Sequence, residues 1–225
     1  EGTDFFFMRR AYADDVAGTI RELVTKRLPK FTGCDGLSDM QILTPMRKGT
    51  LGVQNLNQVL QETLNPAAFD KREVHFRQIV FREGDKVMQI KNNYNVVWKC
   101  YDCKSGKRYD EGLGVYNGDA GIVLSIDTDA EQMRVAFDDG KIVDYDFSQL
   151  EELELAYAIT IHKSQGSEYP VVILPVYSGP PMLMTRNLLY TAVTRAKKLV
   201  VLVGLRETVS AMIRNDKEVE RYTGL

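Results

Sequence analysis

Three shortages in this sequence each exclude a class of protein. Its cysteines, Cys34, Cys100 and Cys103, number only 3, which does not suit the disulfide framework of a secreted domain and indicates a reducing cytosol. The longest apolar run, near residues 199–205, is far shorter than the ~20 residues that span a bilayer, so we expect a cytoplasmic protein without a membrane partner. The net charge of -2 argues against a protein that coats duplex DNA, although a local groove for a single strand is compatible with it.

The start of the sequence has neither a methionine nor the charged-then-apolar pattern of a signal peptide. A strand-like apolar run at residues 3–8 lies almost at the first residue, so we expect that the sequence is cut from a longer chain. With 44% hydrophobic and 27% charged residues, the composition is typical of a folded globular protein rather than a disordered or fibrous one.

Both ends of the sequence alternate between apolar strands and amphipathic helices. The predicted strands cover residues 3–8, 41–45, 156–161, 171–176 and 199–203, and the predicted helices cover about 14–28, 52–64, 187–198 and 207–214. Asp14 is the expected N-cap of the first helix, and Pro29 is expected to end it. Strands that alternate with helices predict a parallel, doubly wound α/β sheet.

The middle of the sequence changes to short alternating runs broken by Gly, Asn and Asp, which favours a small β barrel. The pair Asp139-Gly140 is a strong hairpin signal within it. We therefore predict an α/β domain made of residues 1–83 and 151–225, with a β barrel inserted over 84–150. Because domains are commonly inserted where chain ends are close, the two ends of the insert are expected to lie near each other.

The segment AITIHKSQGSE, residues 158–168, carries the densest polar pattern. Alternation along a strand predicts that Thr160 and His162 share a face, before the strand ends in a loop. In open α/β sheets, ligands bind beyond the carboxyl ends of the strands, and Gly166 allows backbone to approach a phosphate or ribose closely. The other side chains placed at this edge are Lys163, Ser164, Gln165 and Glu168. A polar strand-to-loop corner with a hydrogen-bonded histidine is the alternative interpretation.

The segment NLLYTAVTRAKK, residues 187–198, is predicted to be a helix followed directly by a buried strand. Helical spacing places Thr191, Arg195 and Lys198 on a face separate from the apolar one. An arginine on a rigid helix beside a sheet edge suits bidentate phosphate contact. A solvated cationic face near a helix C-terminus is the alternative interpretation.

Together, these two segments resemble motifs V and VI of superfamily 1 DNA helicases, most closely the RecD/TraA group. The segment QILTPMRKG, residues 41–49, with GVQNLN at 52–57, is similar to the motif IV region of that group. The resemblance covers nearly the whole chain. It implies a RecA-like second motor domain that uses ATP and Mg²⁺, and it implies that the insert is an SH3-like barrel.

The resemblance also implies site residues. Arg195 corresponds to the arginine finger that reaches the ATP γ-phosphate, and either Arg47 or Lys48 supplies a second cation there; the sequence leaves open which. Glu168 accepts hydrogen bonds from the ribose hydroxyls, while Gly166 and Gln165 lie beside the nucleotide. Thr160, His162 and Lys163 lie toward single-stranded DNA. Phosphoryl transfer depends on this kind of positioning and charge stabilisation more than on covalent chemistry.

The parts that grip the phosphates and the metal are missing from the sequence. No GxxxxGK[ST] loop occurs, and no apolar strand ends in an Asp-Glu pair that could hold Mg²⁺. In the resembled family these parts belong to the first motor domain, which we expect upstream in the same protein. The chain alone is therefore predicted to be inactive.

The insert contains aromatic and basic residues that can be interpreted either as a strand-binding patch or, as we favour, as a solvated loop: Tyr94, Trp98, Lys99, Tyr101, Lys104, Lys107, Arg108 and Tyr109. The lone Cys100-x-x-Cys103 pair lacks two further ligands, so no metal site is predicted.

Two rival functions differ in what precedes the chain. A non-catalytic nucleic-acid-binding module would lack an upstream phosphate-binding loop, and a TraA-like conjugative relaxase-helicase would carry a relaxase domain. The family implies 5′→3′ movement, which nothing in these residues shows, and partners such as RecBC-like subunits stay open.

Overall fold

The computed structural model describes residues 4–102 and 105–216, which form two compact units. The α/β unit runs up to Leu64 and resumes at Ala158, and the β unit runs from Asn65 to Tyr157. The helices are α1 (Ala13–Glu22), α2 (Leu28–Thr32), α3 (Val53–Leu64), α4 (Arg186–Val193) and α5 (Arg206–Arg214). The strands are β1 (Asp4–Arg9), β2 (Met40–Thr44), β3 (Glu73–Phe76), β4 (Ile79–Arg82), β5 (Lys86–Gln89), β6 (Asn93–Tyr101), β7 (Arg108–Val115), β8 (Ala120–Asp127), β9 (Gln132–Phe137), β10 (Ile142–Asp146), β11 (Leu153–Leu155), β12 (Ala158–Thr160), β13 (Tyr169–Val176) and β14 (Ala196–Gly204).

The α/β unit contains a parallel sheet of 5 strands in the order β1-β14-β13-β2-β12. Every residue from Val171 to Val176 of β13 is buried, and since side chains alternate along a strand, both faces of this strand are covered. Helices α1 and α3 pack together, as do α4 and α5, and each pair contacts the sheet. The predicted parallel α/β sheet is confirmed.

The first helical segment differs from the prediction at both ends. Asp14 lies inside the first turn of α1 rather than at its N-cap. Pro29 does not end the helix, because a π-helical turn precedes it and the N–H of Leu28 donates to the carbonyl of Leu23, five residues back. This wider turn accommodates a proline, which clashes with the preceding turn of an ordinary α-helix. The helix continues into α2 and ends at Gly33, whose φ is 69°. Among the described residues, no helix is long and apolar enough to cross a bilayer.

The β unit contains an antiparallel sheet of 7 strands, ordered β11-β5-β8-β9-β10-β6-β7, and the hairpin β3-β4. One apolar core joins them, and Val74, Val87, Val115, Met133 and Leu153 show how widely its members are spread along the chain. The turn at Asp139-Gly140 joins β9 to β10 as predicted, and Gly140 has the positive φ, 87°, that this turn requires.

The β unit is wider than the predicted 84–150 insert because its core draws on residues outside that span. Phe81 of β4 and Leu153 of β11 are 0% and 1% exposed within this core. The two ends of the unit lie close together, as expected for an insert. The side chains of Asn65 and Tyr157 both donate to Oδ1 of Asp85, at 2.8 and 2.7 Å.

Asp85 is the centre of a buried polar network. Its side chain is 0% exposed, and its second oxygen, Oδ2, accepts from the backbone N–H of Arg82 at 2.7 Å. Burial raises the pKa of the Tyr157 phenol, and the adjacent Asp85 carboxylate raises it further, so this hydroxyl stays a donor. The guanidinium of Arg82 donates in turn to the carbonyl of Asn65. The network therefore fastens both ends of the unit to one carboxylate.

Candidate functional site

The register of the parallel sheet separates the predicted site residues into two groups. Thr160 lies beside Thr44 at the carboxyl ends of β12 and β2. Tyr169 lies beside Ala196 at the amino ends of β13 and β14, two residues before the level at which β2 begins. At about 3.3 Å per residue, these two levels are about 20 Å apart along the strands. We call the residues near Thr160 the carboxyl-edge group and those near Tyr169 the amino-edge group.

The amino-edge group is built from two loops that meet. One guanidinium nitrogen of Arg195, Nη1, donates to the carbonyl of Ser167 at 3.3 Å, and the carbonyl of Arg195 accepts from the N–H of Tyr169 at 2.8 Å. Nζ of Lys197 lies 3.3 Å from Oε2 of Glu168. The structure thus places Arg195 and Glu168 on two loops that contact each other at the amino edge. The expectation that Glu168 lies at the carboxyl ends of the strands is therefore wrong, because the chain returns along the sheet between Thr160 and Tyr169.

Arg195 lies in a turn and not on a helix, which corrects the prediction. Helix α4 ends at Val193, and Ala196 already pairs with β13. The predicted helical face of Thr191, Arg195 and Lys198 is therefore wrong, since sheet pairing ends the helix before it. The Arg195 side chain folds back along the turn, with Nε donating to the carbonyl of Thr191 at 3.3 Å and Nη2 to the Thr194 hydroxyl at 3.4 Å.

Gly166 permits the turn that leads into Glu168. Its φ of 88° lies in the left-handed region, where a side chain would be strained. The turn is anchored by Ser164, which is 0% exposed and donates through its hydroxyl to the carbonyl of Ile161 at 2.7 Å. Gln165 is exposed, and its backbone N–H donates to the carbonyl of His162 at 3.3 Å. Hydrogen bonds within the segment 161–168 therefore fix its backbone, while the side chains of Gln165 and Glu168 remain exposed.

The carboxyl-edge group contains Thr160, His162 and Lys163. The strand β12 ends at Thr160, and a 3-10 turn, Ile161–Ser164, follows. The expectation that Thr160 and His162 share a strand face is therefore wrong, because alternation stops where the backbone turns. His162 is nevertheless exposed, whereas Ile161 is buried. The turn packs against α4 and β2, and these contacts fix the position of the backbone that carries His162.

Arg47 and Lys48 lie at the carboxyl edge rather than with Arg195. They follow β2 in a loop whose ends are tied together, since the Thr44 hydroxyl donates to the carbonyl of Leu51 at 2.7 Å. Both side chains are exposed. An arginine side chain is much shorter than the distance between the two levels, so within this chain neither cation joins the amino-edge group. Their assignment to the nucleotide stays a prediction.

The aromatic and basic residues of the β unit lie mainly on the hairpin formed by β6 and β7, and not on a loop. Tyr94 and Tyr109 are 64% and 70% exposed, while the Trp98 ring packs against Gly112, where a Cβ atom would lie 2.4 Å from the ring. Lys104 and Cys103 lie outside the described residues. Within residues 4–102 and 105–216, no group of three or more His, Cys, Asp or Glu side chains could hold a metal ion.

Sequence reasoning missed two residues of the amino-edge group. Ser167 contributes a backbone carbonyl, which no side-chain pattern reveals. Lys197 is visible only as one of several cations after Arg195, and its pairing with Glu168 depends on the register of β13 and β14.

A parallel five-stranded sheet interrupted in sequence by a small antiparallel β unit is a RecA-like α/β fold with an inserted SH3-like domain. Residues 56–137 match the family model of the ATP-dependent RecD-like DNA helicase SH3 domain, and residues 155–203 match that of the UvrD-like helicase C-terminal domain. The chain belongs to the family of RecD-like DNA helicases.

Individual relatives agree with this placement. The ATP-dependent RecD2 DNA helicase of Deinococcus radiodurans is 37% identical over 163 residues, which are 72% of this chain and 19% of that protein. The RecBCD enzyme subunit RecD of Mycobacterium tuberculosis is 43% identical over 116 residues, 52% of this chain and 20% of that protein. That of Haemophilus influenzae is 29% identical over 84% of this chain and 24% of that protein. The chain thus spans only about a fifth to a quarter of the length of these relatives.

Proposed function

We propose that this chain is the second motor domain of an ATP-dependent DNA helicase whose first motor domain belongs to the same longer protein. The observation that carries the proposal is the contact between the two loops that hold Arg195 and Glu168, at the amino edge of the sheet. The RecD2 relative is named an ATP-dependent DNA helicase, which supports ATP as the substrate. The chain would form one wall of the ATP cleft and one side of a single-strand groove.

At the nucleotide, each amino-edge residue has a distinct role. Arg195 would stabilise the charge that develops on the γ-phosphate during transfer, as arginine fingers do. Glu168 would accept from the ribose hydroxyls, while Gly166 and Gln165 would line the approach. The metal would be bound mainly by the first motor domain, because this sequence has no apolar strand that ends in an Asp-Glu pair able to hold Mg²⁺.

At the carboxyl edge, Thr160, His162 and Lys163 would contact single-stranded DNA. Exposure of the His162 ring supports stacking against a base, and nearby cations suit the phosphate backbone. Because Arg47 and Lys48 follow β2 at this same edge, the register favours the DNA side for them over the nucleotide side.

ATP binding would close the two motor domains and hydrolysis would reopen them, which moves the protein along DNA. Movement in the 5′→3′ direction follows from the family alone. Relatives named as RecBCD subunits favour a second version of the proposal, in which the longer protein works beside RecBC-like subunits.

The proposal is tested by comparing the longer protein with this chain alone. The longer protein should hydrolyse ATP when single-stranded DNA is present and should separate a forked duplex. The chain alone should do neither, because the phosphate-binding loop is absent from its sequence. Turnover by the purified chain, or none by the longer protein with DNA, would overturn the proposal.

A further inference from the structure

The ion pair between Lys197 and Glu168 joins the two loops of the amino-edge group. Nζ of Lys197 lies 3.3 Å from Oε2 of Glu168, and the side chains are 58% and 59% exposed. Two residues earlier in the chain, Arg195 meets the carbonyl of Ser167. Cations at 195 and 197 thus face the consecutive positions 167 and 168.

An exposed ion pair of this kind contributes little to folding. The ion pair does, however, orient the Glu168 carboxylate. With Oε2 held by the ammonium group, Oε1 is the oxygen that Glu168 presents to a ligand, and the rotamers open to the carboxylate are reduced. A carboxylate oriented in advance binds a hydroxyl donor without the loss of freedom that an unrestrained side chain undergoes.

The pair also changes the local charge. A lone carboxylate near a nucleotide repels the polyphosphate, whereas a carboxylate beside an ammonium group presents no net charge. Orientation and neutralisation of the Glu168 carboxylate both favour a nucleotide. The oriented oxygen accepts from the ribose hydroxyls, and the neutralised charge does not repel the phosphates.

We propose that Lys197 is a positioning residue for the nucleotide, one that directs Glu168 toward the ribose hydroxyls and so sets the preference for a ribonucleotide. This inference rests on the proposed function, since it takes the amino-edge group to be the nucleotide site. Because Lys197 would act through Glu168 and not on the reacting phosphate, it should affect the apparent affinity for the nucleotide more than the rate of the chemical step.

The test compares ATP with 2′,3′-dideoxy-ATP, which lacks both hydroxyls, in the longer protein with saturating single-stranded DNA. Lys197→Met should lower the preference in kcat/KM for ATP by about threefold to tenfold, the scale of one hydrogen bond to a charged group partly lost. The change should appear in KM, with kcat nearly unchanged. Lys197→Arg should restore the preference, and Glu168→Gln should reduce it at least as much as Lys197→Met.

The matched control is Lys91→Met, which removes an ion pair of similar exposure, Lys91 with Glu151 at 2.8 Å, from the β unit. It should leave the preference unchanged. If the double variant Lys197→Met, Glu168→Gln loses more preference than Glu168→Gln alone, Lys197 acts independently of the carboxylate and the inference is wrong. If Lys197→Met keeps the normal preference for ATP while Arg195→Ala hydrolyses no ATP, the inference is wrong but the proposed function stands. If Arg195→Ala hydrolyses ATP normally, the proposed function itself is wrong.

Discussion

The amino-edge group of the α/β unit and the Asp85 network of the β unit differ in how tightly their charged side chains are hydrogen-bonded. The three side-chain hydrogen bonds of Arg195 measure 3.3, 3.3 and 3.4 Å, all longer than the usual 2.7–3.2 Å. Asp85 is 0% exposed and accepts three bonds of 2.7–2.8 Å. The guanidinium is held loosely near solvent, and the carboxylate is held tightly away from it.

This difference indicates that Arg195 serves ligand binding and that Asp85 serves the stability of the fold. A buried carboxylate is tolerated only when protein donors replace the water it has lost, so the partners of Asp85 are essential to the fold. A guanidinium with long bonds to backbone carbonyls can exchange them for a phosphate at little cost. The contrast therefore predicts which substitutions harm activity and which harm folding.

Arg195→Ala should have the largest effect, and it acts on activity. In the longer protein, ATP binding should be nearly intact while hydrolysis falls by about 10³ or more, the scale of an arginine finger. Steady-state turnover with single-stranded DNA measures this. Arg134→Ala is a suitable control because it removes an exposed arginine paired with Asp144, and it should leave turnover unchanged.

Asp85→Asn should act on stability instead. The amide places donors against the Tyr157 hydroxyl and the Asn65 amide, so the free energy of unfolding of the β unit should fall by about 3–5 kcal/mol. The single tryptophan, Trp98, lies in this unit, so its fluorescence during urea unfolding reports on the unit selectively. Asp129→Asn, at an exposed position, should change the free energy by less than about 0.5 kcal/mol. A stability equal to that of the parent would show that Asp85 is not needed to join the ends of the unit.

His162→Ala should have the smallest effect, on DNA affinity. The chain alone should bind single-stranded DNA weakly and less at high salt, and the variant should bind about tenfold more weakly, as expected for one lost stacking contact. His75→Ala removes the only other histidine, which is exposed on β3. Thr160→Ala should weaken binding in the same direction. If His75→Ala and His162→Ala have equal effects, the DNA path does not follow the carboxyl edge.

Local patterns predicted the fold where tertiary contacts agree with them. The continuous apolar run of β13 and the Asp139-Gly140 turn carry their structure in a few adjacent residues, and both were placed correctly. Patterns failed where a distant partner decides the conformation. The segment after Val193 has helical spacing, yet pairing with β13 makes it a strand, and this moves Arg195 from a helix into a turn.

The candidate site was predictable in its membership but not in its arrangement. Motif spacing identified Glu168 and Arg195, whereas their proximity depends on sheet register. The Asp85 network lay beyond sequence reasoning altogether, because Asp85 and Tyr157 are separated by 72 positions. Only the folded chain shows that the β unit begins near Asn65, well before the predicted insert at 84–150.

The most direct test of this contrast measures two quantities on two variants: ATP turnover in the longer protein and the free energy of unfolding of this chain. Arg195→Ala should lower turnover by about 10³ and change the unfolding free energy by less than about 0.5 kcal/mol. Asp85→Asn should lower the unfolding free energy by about 3–5 kcal/mol and, at a temperature where it is folded, keep most of the turnover. Normal turnover in Arg195→Ala, or a loss of stability that accounts for its inactivity, would contradict the assignment of this arginine to the nucleotide.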